Sequence, residues 1–295
     1  MRKNGRKSEE RNYTIQSLFL VFALFAFTLA LSGYFVNNDV KADTPPAALT
    51  SQTQLDETQT VAVNDSFSYN LSEISRGRIL VRSEIDGLYG CVIYFGETRN
   101  VYLSLPKGES YIPASMGEGV YLFKVVKHIN GTKYEVLESI EINVRLENEL
   151  MPFLLPNYMV SYDSSSAFVD IAVALCEGTN TERTARKICK WVYKNISYDS
   201  ERAADLLLDG GKLSENIPNL EQVFELQKGI CTDKAALATG MLRSIGVPTK
   251  LVFGEYKGKW HAWITVHIGE GEWLLLDPTT NSRCKETDYV AELFY

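Results

Sequence analysis

Cys231 is the residue of this sequence with the clearest chemical signal. It directly follows Gly229-Ile230 and is predicted to open a helix. The free backbone N–H groups and the helix dipole at that position favour a thiolate over a thiol, and the glycine leaves the sulfur approachable. A lone cysteine is more often a small buried apolar residue. What makes Cys231 a potential nucleophile is His261 and Asp277, which lie 30 and then 16 residues further along the chain.

The register of one hairpin decides whether His261 and Asp277 can meet. His261 lies in a predicted strand, and Asp277 ends the next one, before a proline. Alone, a strand histidine is usually a satisfied polar residue, and an aspartate before proline often only starts a turn. If Gly269-Glu270-Gly271 is a three-residue loop with its last glycine left-handed, Trp263 faces Asp277. Asp277 is then diagonal to His261 on the same face, roughly 7 to 8 Å away at Cα, whereas a two-residue loop would separate them. The residues expected on the opposite, core face are Ala262, Ile264 and Val266.

Residues 148–295 have the pattern of an α+β domain, in which helices precede strands. The capping box Thr179-Asn180-Thr181-Glu182 predicts the start of a helix. Its apolar face comprises Ala185, Ile188, Val192 and Ile196. Further helices are predicted over 220–226 and from Cys231 to about Gly246. The predicted strands cover 250–255, 260–268 and 272–277.

Residues 61–147 predict a small, Ig-like antiparallel β-sandwich. Apolar and polar residues alternate in several short stretches, and Asn130-Gly131 between two of them is a strong signal for a two-residue hairpin loop. His128 lies beside that turn and is expected to be solvated rather than catalytic. We therefore expect this domain to act in spacing or binding and not in chemistry.

Residues 1–42 are typical of an export signal. Basic residues precede a 14-residue apolar run, Leu18–Leu31, which is shorter than a usual membrane span of about 20 residues. Val40-Lys41-Ala42 has the small-residue form of a signal peptidase site, whereas an apolar run continued through Val36 would make an uncleaved signal anchor. Residues 43–60, rich in Thr, Pro, Gln and Ala, predict a linker. Both alternatives place the rest of the chain outside the cytoplasm, extracellular or at the cell surface.

Charge and cysteine content argue against several classes of protein. The net charge is −7, and beyond residue 42 there are 24 basic residues against 34 acidic ones. An acidic body without a basic stripe argues against nucleic acid as a partner. The sequence has no C-x-x-C, no H-x-x-x-H and no acidic calcium loop, so we predict no metal and no other cofactor.

Five cysteines leave at least one thiol free or paired between chains. No chemistry is predicted for Cys91, Cys176, Cys189 and Cys284, although Cys176 and Cys189 could pair.

The motifs around these residues resemble the transglutaminase-like superfamily over about residues 182–279. The resemblance rests on Gly229-Ile230-Cys231, His261-Ala262-Trp263 and the segment 273–279 (WLLLDPT), in this order and spacing. It implies a papain-like core of helices packed on an antiparallel sheet. It also implies that Cys231 is the nucleophile, that His261 is its general base and then acid, and that Asp277 fixes the imidazole tautomer.

The resemblance further implies an oxyanion-binding site. The backbone N–H of Cys231 would be its first donor, and relatives often have an aromatic side chain roughly thirty residues upstream as the second. Tyr198, 33 residues before Cys231, is the candidate for that position. The sequence departs from the family at Lys234, where relatives commonly carry an aromatic residue, and this departure concerns the wall of the pocket.

We therefore expect a secreted or surface cysteine enzyme that acts on peptide or isopeptide amides through a thioester. Small bacterial members of the superfamily look more like peptidases, which favours hydrolysis. Two alternatives stay open, a cross-linking transglutaminase and a non-catalytic cell-surface binding module on the same fold. The expected partners are protein or peptide substrates, with association to the cell wall left open, and a membrane only through an uncleaved N-terminal segment.

Overall fold

Residues 60–144 fold into two antiparallel sheets, as their alternating pattern predicts. The structure, a computed structural model, describes residues 55–208, 217–280 and 284–295. The strands are β1 (Thr60–Asn64), β2 (Phe67–Asn70), β3 (Arg78–Ser83), β4 (Tyr89–Phe95), β5 (Thr98–Tyr102), β6 (Gly108–Pro113), β7 (Gly119–Asn130) and β8 (Lys133–Val144). One sheet has the order β1-β2-β3-β6 and the other β5-β4-β7-β8. The apolar faces of both sheets are buried, which confirms the predicted β-sandwich.

The hairpin between β7 and β8 differs slightly from the prediction. Asn130 pairs with Lys133, so the two loop residues are Gly131 and Thr132, one position later than predicted. A bulge between His128 and Asn130 shifts the register and keeps Asn130 in the strand. Gly131 has a φ of +50°, a conformation that glycine adopts without strain. His128 bonds the carbonyl of Gly131 at 2.9 Å, beside the turn as expected.

The predicted domain limits at residues 60 and 147 stay a prediction, and the structure shows contacts across both ends of the sandwich. Within the expected linker, residues 57–59 form a 3-10 helix, and Glu57 pairs with Arg82 of β3 at 2.8 Å. At the other end, β8 stops at Val144, near the predicted limit at residue 147. Hydrogen bonds cross this limit, because Tyr158 donates from its backbone to Tyr111 and from its hydroxyl to Leu103. The sandwich and the residues that follow are thus in close contact.

The second half combines helices with an antiparallel sheet, which confirms the predicted α+β class. The helices described are α1 (Phe168–Cys176), α2 (Thr181–Asn195), α3 (Ser200–Leu208), α4 (Leu220–Leu226) and α5 (Cys231–Ser244). The strands are β9 (Ser197–Tyr198), β10 (Lys228–Gly229), β11 (Thr249–Tyr256), β12 (Lys259–Gly269), β13 (Glu272–Leu276) and β14 (Tyr289–Phe294). The main sheet has the order β13-β12-β11-β14, and β9 and β10 form a separate parallel pair.

Helix α5 is the centre of this half. It contacts α1, α2 and α4 on one side and β11 and β12 on the other, so every residue from Cys231 to Ser244 is buried. Its polar residues are buried together with its apolar ones, and the guanidinium of Arg243 is satisfied by the backbone carbonyls of Leu155, Thr249 and Tyr295. A helix enclosed in this way holds its first residue rigidly.

Helix α2 begins one residue later than the capping box predicted. Its N-cap is Asn180, whose side chain accepts a hydrogen bond from the backbone N–H of Arg183 at 2.9 Å. The hydroxyl of Thr179, the predicted cap, donates instead to the carbonyl of Cys176 at the end of α1. The predicted apolar face, Ala185, Ile188, Val192 and Ile196, is fully buried.

The export signal and most of the predicted linker, residues 1–54, lie outside the described residues. Within residues 55–208, 217–280 and 284–295, no helix is both long and apolar enough to span a membrane. All five cysteines of the chain are described, and Cys91, Cys176, Cys189 and Cys231 are free thiols.

Candidate active site

The register between β12 and β13 is the one that the sequence predicted, but it arises differently. Ile264 pairs with Leu276, so Trp263 would face Asp277 in the continued ladder. The loop contains two residues, Glu270 and Gly271, with φ of +49° and +79°, because Gly269 pairs with Glu272. The predicted three-residue loop is therefore wrong.

A bulge between His267 and Gly269 compensates for the shorter loop. It leaves Ile268 unpaired in β12 and shifts the register by one residue. Without this bulge, the two-residue loop would have placed His261 and Asp277 on opposite faces of the sheet. With it, the two side chains share a face, as predicted.

His261 and Asp277 form a buried ion pair. The ring Nε2–H of His261 donates to Oδ2 of Asp277 at 3.0 Å, and both residues are buried. Burial on its own would raise the pKa of Asp277, but the hydrogen bond from His261 and those from neighbouring donors hold it below its usual range. The carboxylate is therefore charged and fixes the proton of the imidazole on Nε2 or, when both nitrogens are protonated, stabilises the cation.

Asp277 is held by three further residues that sequence reasoning missed. The hydroxyls of Tyr289 and Thr280 donate to Oδ2 at 3.0 and 3.1 Å, and the backbone N–H of Thr279 donates to Oδ1 at 2.8 Å. Thr279 and Thr280 follow a proline turn, so an Asx-type turn at Asp277 was a signal that could have found them. Tyr289 lies on β14, and nothing in its local sequence indicates this contact.

The thiol of Cys231 lies against the imidazole. Cys231 is the first residue of α5, is 1% exposed, and is a hydrogen-bond partner of the His261 side chain. Because Nε2 of His261 bonds Asp277, Nδ1 is the ring nitrogen available to the sulfur. Burial lowers the pKa of His261, but the hydrogen bonds to Asp277 and Cys231 outweigh it and raise the pKa to about 9. At neutral pH the ring is therefore a cation beside the sulfur.

Tyr198 is the fourth predicted residue at this place. Its side chain is a hydrogen-bond partner of Cys231, and 43% of the residue is exposed. Burial, followed by the charge of the neighbouring Cys231, raises the pKa of Tyr198 to about 12, so its hydroxyl stays protonated and can donate. The pairing of β9 with β10 sets Tyr198 opposite Gly229, two residues before Cys231. The structure thus brings together all four predicted residues.

The start of α5 is fixed by the carboxylate of Asp233, to which the sequence analysis assigned no role. Oδ2 of Asp233, a fully buried residue, accepts hydrogen bonds from the backbone N–H of Ile230 at 2.9 Å and from Nη1 of Arg202 at 2.7 Å. Asp233 is three residues after the N-cap, Ile230, which is the position of the acidic residue in a capping box. That spacing is the signal by which it could have been found.

Gly229 also has a packing role that the sequence analysis did not predict. We expected this glycine to leave the sulfur approachable, and a Cβ at position 229 would lie 2.8 Å from Cβ of Asp233 and 3.2 Å from its Oδ2. The glycine therefore makes room for the carboxylate that holds the helix start. The backbone of Gly229 also pairs with β9, so Asp233, Gly229 and Tyr198 support one another.

The substitution Gly229→Ala is expected to destabilise the protein by about 2 kcal/mol, as overpacking of a tight site does. The displaced Asp233 would also release the N–H of Ile230, so the rate of Cys231 alkylation should fall. Urea denaturation and iodoacetamide kinetics measure the two effects. Unchanged values of both would show that Asp233 does not need this space.

The other polar groups suggest no second site of the same kind. In the part of the chain that the structure describes, no group of three or more His, Cys, Asp or Glu side chains is arranged to hold a metal ion. Burial raises the pKa of Cys91, Cys189 and Cys284, so these thiols stay neutral.

Comparison with known proteins identifies the domain. Residues 170–278 match the family model described as the transglutaminase-like superfamily. No curated protein sequence matches the chain. Similar solved structures include a candidate cysteine protease from Cytophaga hutchinsonii, 15% identical over 74% of this chain and 76% of that one, with a TM-score of 0.41. Red sea bream transglutaminase is 15% identical over 68% and 47%, with a TM-score of 0.32. The periplasmic domain of TgpA from Pseudomonas aeruginosa, bound to ethylmercury, is 13% identical over 69% and 72%, with a TM-score of 0.34.

The identification rests on the family match, since these structural similarities are too distant to carry an argument about function. The matched segment contains the start of α5, the β12–β13 hairpin and the four residues brought together around the thiol. Residues 170–278 of this chain therefore form a domain of the transglutaminase-like superfamily.

Proposed function

We propose that this protein is a cysteine acyl-transfer enzyme that acts on peptide or isopeptide amides through a thioester. The observation that carries the proposal is the continuous contact from the Cys231 thiol to the His261 imidazole and on to the Asp277 carboxylate. A domain that served only as a scaffold would have no chemical need for a charged imidazole between a thiol and a buried carboxylate. The proposed place of action is extracellular or at the cell surface.

The proposed reaction begins with attack of the Cys231 sulfur on the amide carbonyl carbon. A C–S bond forms, and the carbonyl oxygen becomes an oxyanion that the backbone N–H of Cys231 and the hydroxyl of Tyr198 stabilise. The C–N bond then breaks while His261 gives its Nδ1 proton to the leaving amine. In the second half, His261 takes a proton from the acceptor as that acceptor attacks the thioester, and the thiolate leaves.

The acyl acceptor separates the two proposed reaction classes. Water as acceptor releases a carboxylate and makes the enzyme a peptidase or amidase, and a lysine amine forms a new amide and makes it a cross-linking transglutaminase. We propose hydrolysis, because small bacterial members of the superfamily that the motifs resemble look more like peptidases than cross-linkers. Incubation with a quenched peptide library, with and without a primary amine, distinguishes new carboxylate ends from amine incorporation.

Alkylation of Cys231 at pH 6 tests whether the nucleophile is activated. An ordinary thiol reacts slowly at that pH, since its pKa is about 8.5, but a thiolate beside charged His261 should react with a small probe such as iodoacetamide. We expect His261→Ala to lower this rate by about 10²-fold, as the ordinary thiol pKa implies. His267→Ala, on the same strand, is the matched control and should react like wild type. Slow labelling of folded wild-type protein would favour the non-catalytic binding module.

Removal of the Tyr198 hydroxyl tests the proposed oxyanion donor. We expect Tyr198→Phe to lower the rate of thioester formation by about 10²-fold, the usual effect of losing one such donor. Alkylation of Cys231 forms no oxyanion, so it should lose only the effect of the hydrogen bond between Tyr198 and the sulfur and should change much less. Burst kinetics with an activated acyl donor measure the first rate and iodoacetamide the second. An equal loss in both rates would mean that Tyr198 acts on the sulfur and not on the oxyanion.

A further inference from the structure

Lys234 is a buried cation in the first turn of α5, three residues after Cys231. It is 2% exposed, and its Nζ donates to the backbone carbonyl of Ile196 at 2.6 Å. The ammonium also lies over the ring of Tyr193, 5.6 Å from the ring centre. Burial lowers the pKa of Lys234, and the charge of Asp277 opposes this effect. Burying an ammonium is expensive unless it is paired, so the bond to Ile196 needs a structural or functional reason.

The carbonyl that Lys234 binds is at the junction between α2 and the strand of Tyr198. Ile196 is the C-cap of α2, and β9 begins at the next residue. The last carbonyls of a helix have no partner within the helix and lie at the negative end of its dipole, so they favour a cation. Lys234 therefore fixes the chain two residues before Tyr198.

The other edge of the same segment is tied to the residues before the nucleophile. The backbone N–H of Ser197 donates to the carbonyl of Gln227 at 2.8 Å, and that of Asp199 donates to the carbonyl of Gly229 at 3.1 Å. Tyr198 thus lies on a two-residue strand that pairs with β10, and Lys234 binds the residue just before that strand. A pair of two-residue strands has few backbone hydrogen bonds of its own, and the charged bond at Ile196 adds to the bonds from the Ser197 hydroxyl to the carbonyl of Gln227 and from Lys228 to Asp199.

We propose that Lys234 is a positioning residue for the oxyanion donor: by holding the carbonyl of Ile196, it keeps the hydroxyl of Tyr198 against Cys231. This inference rests on the proposed function, in which Tyr198 donates to the oxyanion. Lys234 acts through Tyr198 and not on the substrate, because its ammonium is engaged with Ile196. A phenylalanine or an aliphatic side chain at this position has no group that could bind that carbonyl.

The first test measures order in β9 directly and needs no activity. Lys234→Met retains the apolar stem and removes the ammonium. We expect hydrogen exchange at the amides of Ser197 and Asp199 to become about 10-fold faster, as local opening becomes easier, while the amides of α5 keep their protection. The matched control is Lys187→Met. Lys187 also donates to a carbonyl near a helix end, that of Leu175 at 3.2 Å, but it is not connected to Tyr198.

The second test asks whether Lys234 and Tyr198 act on the same step. We expect Lys234→Met to slow thioester formation by up to about 10²-fold, the loss that a misplaced group of about 1 Å produces, with little change in alkylation of Cys231. In the double variant with Tyr198→Phe, the loss should be no greater than for Tyr198→Phe alone. A general loss of stability would instead multiply the two effects and slow alkylation as well.

The outcomes separate this inference from the proposed function. If β9 is loosened selectively but wild type forms no thioester, Lys234 positions Tyr198 as inferred and the proposed function fails. The inference on Lys234 fails, whatever the activity, if the amides of Ser197 and Asp199 keep their protection from exchange in Lys234→Met. It also fails if the rate losses caused by the two substitutions multiply in the double variant. Should Lys234→Met not fold, Lys234→Gln, which retains a donor but shortens its reach, should show the same selective loss to a smaller degree.

Discussion

Cys231→Ala is expected to lower acyl transfer by about 10⁴-fold or more, since nucleophile removal eliminates the covalent route and leaves only the contribution of binding and the oxyanion site. The fold should survive, because one buried sulfur atom at a helix start contributes about 1 kcal/mol, a usual value for a single substitution. The helix start itself is held by Asp233 and Ile230, which the substitution does not touch. Release of carboxylate ends from a quenched peptide, together with a thermal melt, measures both expectations.

Cys189→Ala is the matched control for this substitution. Cys189 is also a buried cysteine, it lies near Asp277, and burial raises the pKa of its thiol, so it is a neutral packing residue. Its replacement should change stability by a similar amount and leave turnover close to wild type. Wild-type turnover in Cys231→Ala would show that the nucleophile has been assigned to the wrong residue. Loss of turnover in both variants would point to an effect of packing around Asp277.

The positions of the candidate site residues in the fold could be predicted from the sequence, because local rules place them. The start of a helix at Cys231 follows from the glycine before it and the apolar residues after it, and the structure begins α5 at that residue. Because side chains alternate between the two faces of a strand, the sequence predicts His261 on the face opposite Ala262 and Ile264, both of which are buried. The register was also predicted correctly, but from an incorrect loop, because a bulge at Ile268 has no reliable local signal.

The parts that sequence analysis missed depend on contacts between distant segments. Helix α1, Phe168–Cys176, is a short apolar run, and such a run cannot be assigned to helix or strand by periodicity. Strand β14 joins the sheet by pairing with β11, more than thirty residues earlier, and this pairing brings Tyr289 to Asp277. Lys234 was noticed as a departure from the family, but its partner, the carbonyl of Ile196, lies 38 residues away. Only the folded chain shows these neighbours.

These missed contacts explain how the site holds two opposite charges, on His261 and Asp277, in a buried place. The cation of His261 is paired with Asp277, and the carboxylate of Asp277 has Tyr289, Thr279 and Thr280 as further donors. A buried charge is tolerated where its partner and its hydrogen bonds are complete. The network around Asp277 therefore helps to set the pKa of His261, and a substitution at Asp277 should change the reactivity of the Cys231 sulfur.

The substitution Asp277→Asn is the sharpest test of that connection. An amide cannot stabilise the imidazolium, and it can accept or donate, so the imidazole loses both its fixed tautomer and its charge partner. We expect turnover to fall by about 10³- to 10⁴-fold, as in other enzymes whose catalytic histidine loses its carboxylate. Alkylation of Cys231 at pH 6 should slow as well, because the thiolate loses its cationic neighbour. Asp288→Asn is the control, since that carboxylate pairs with Lys257 at 3.6 Å, away from the thiol.

The same substitution should change how stability depends on pH. In the wild-type protein the pKa of His261 is raised to about 9, against an ordinary value of 6.5. A raised pKa means that the folded state binds the proton more tightly, so this stabilisation is complete below about pH 6.5 and is lost as the pH rises through about 9. We therefore expect the free energy of unfolding of wild type to decrease between pH 6 and pH 9.5, and Asp277→Asn to show a smaller decrease. Urea denaturation at the two pH values measures this difference. Equal decreases in the two proteins would show that Asp277 does not keep His261 charged, and the proposed thiolate–imidazolium pair would lose its basis.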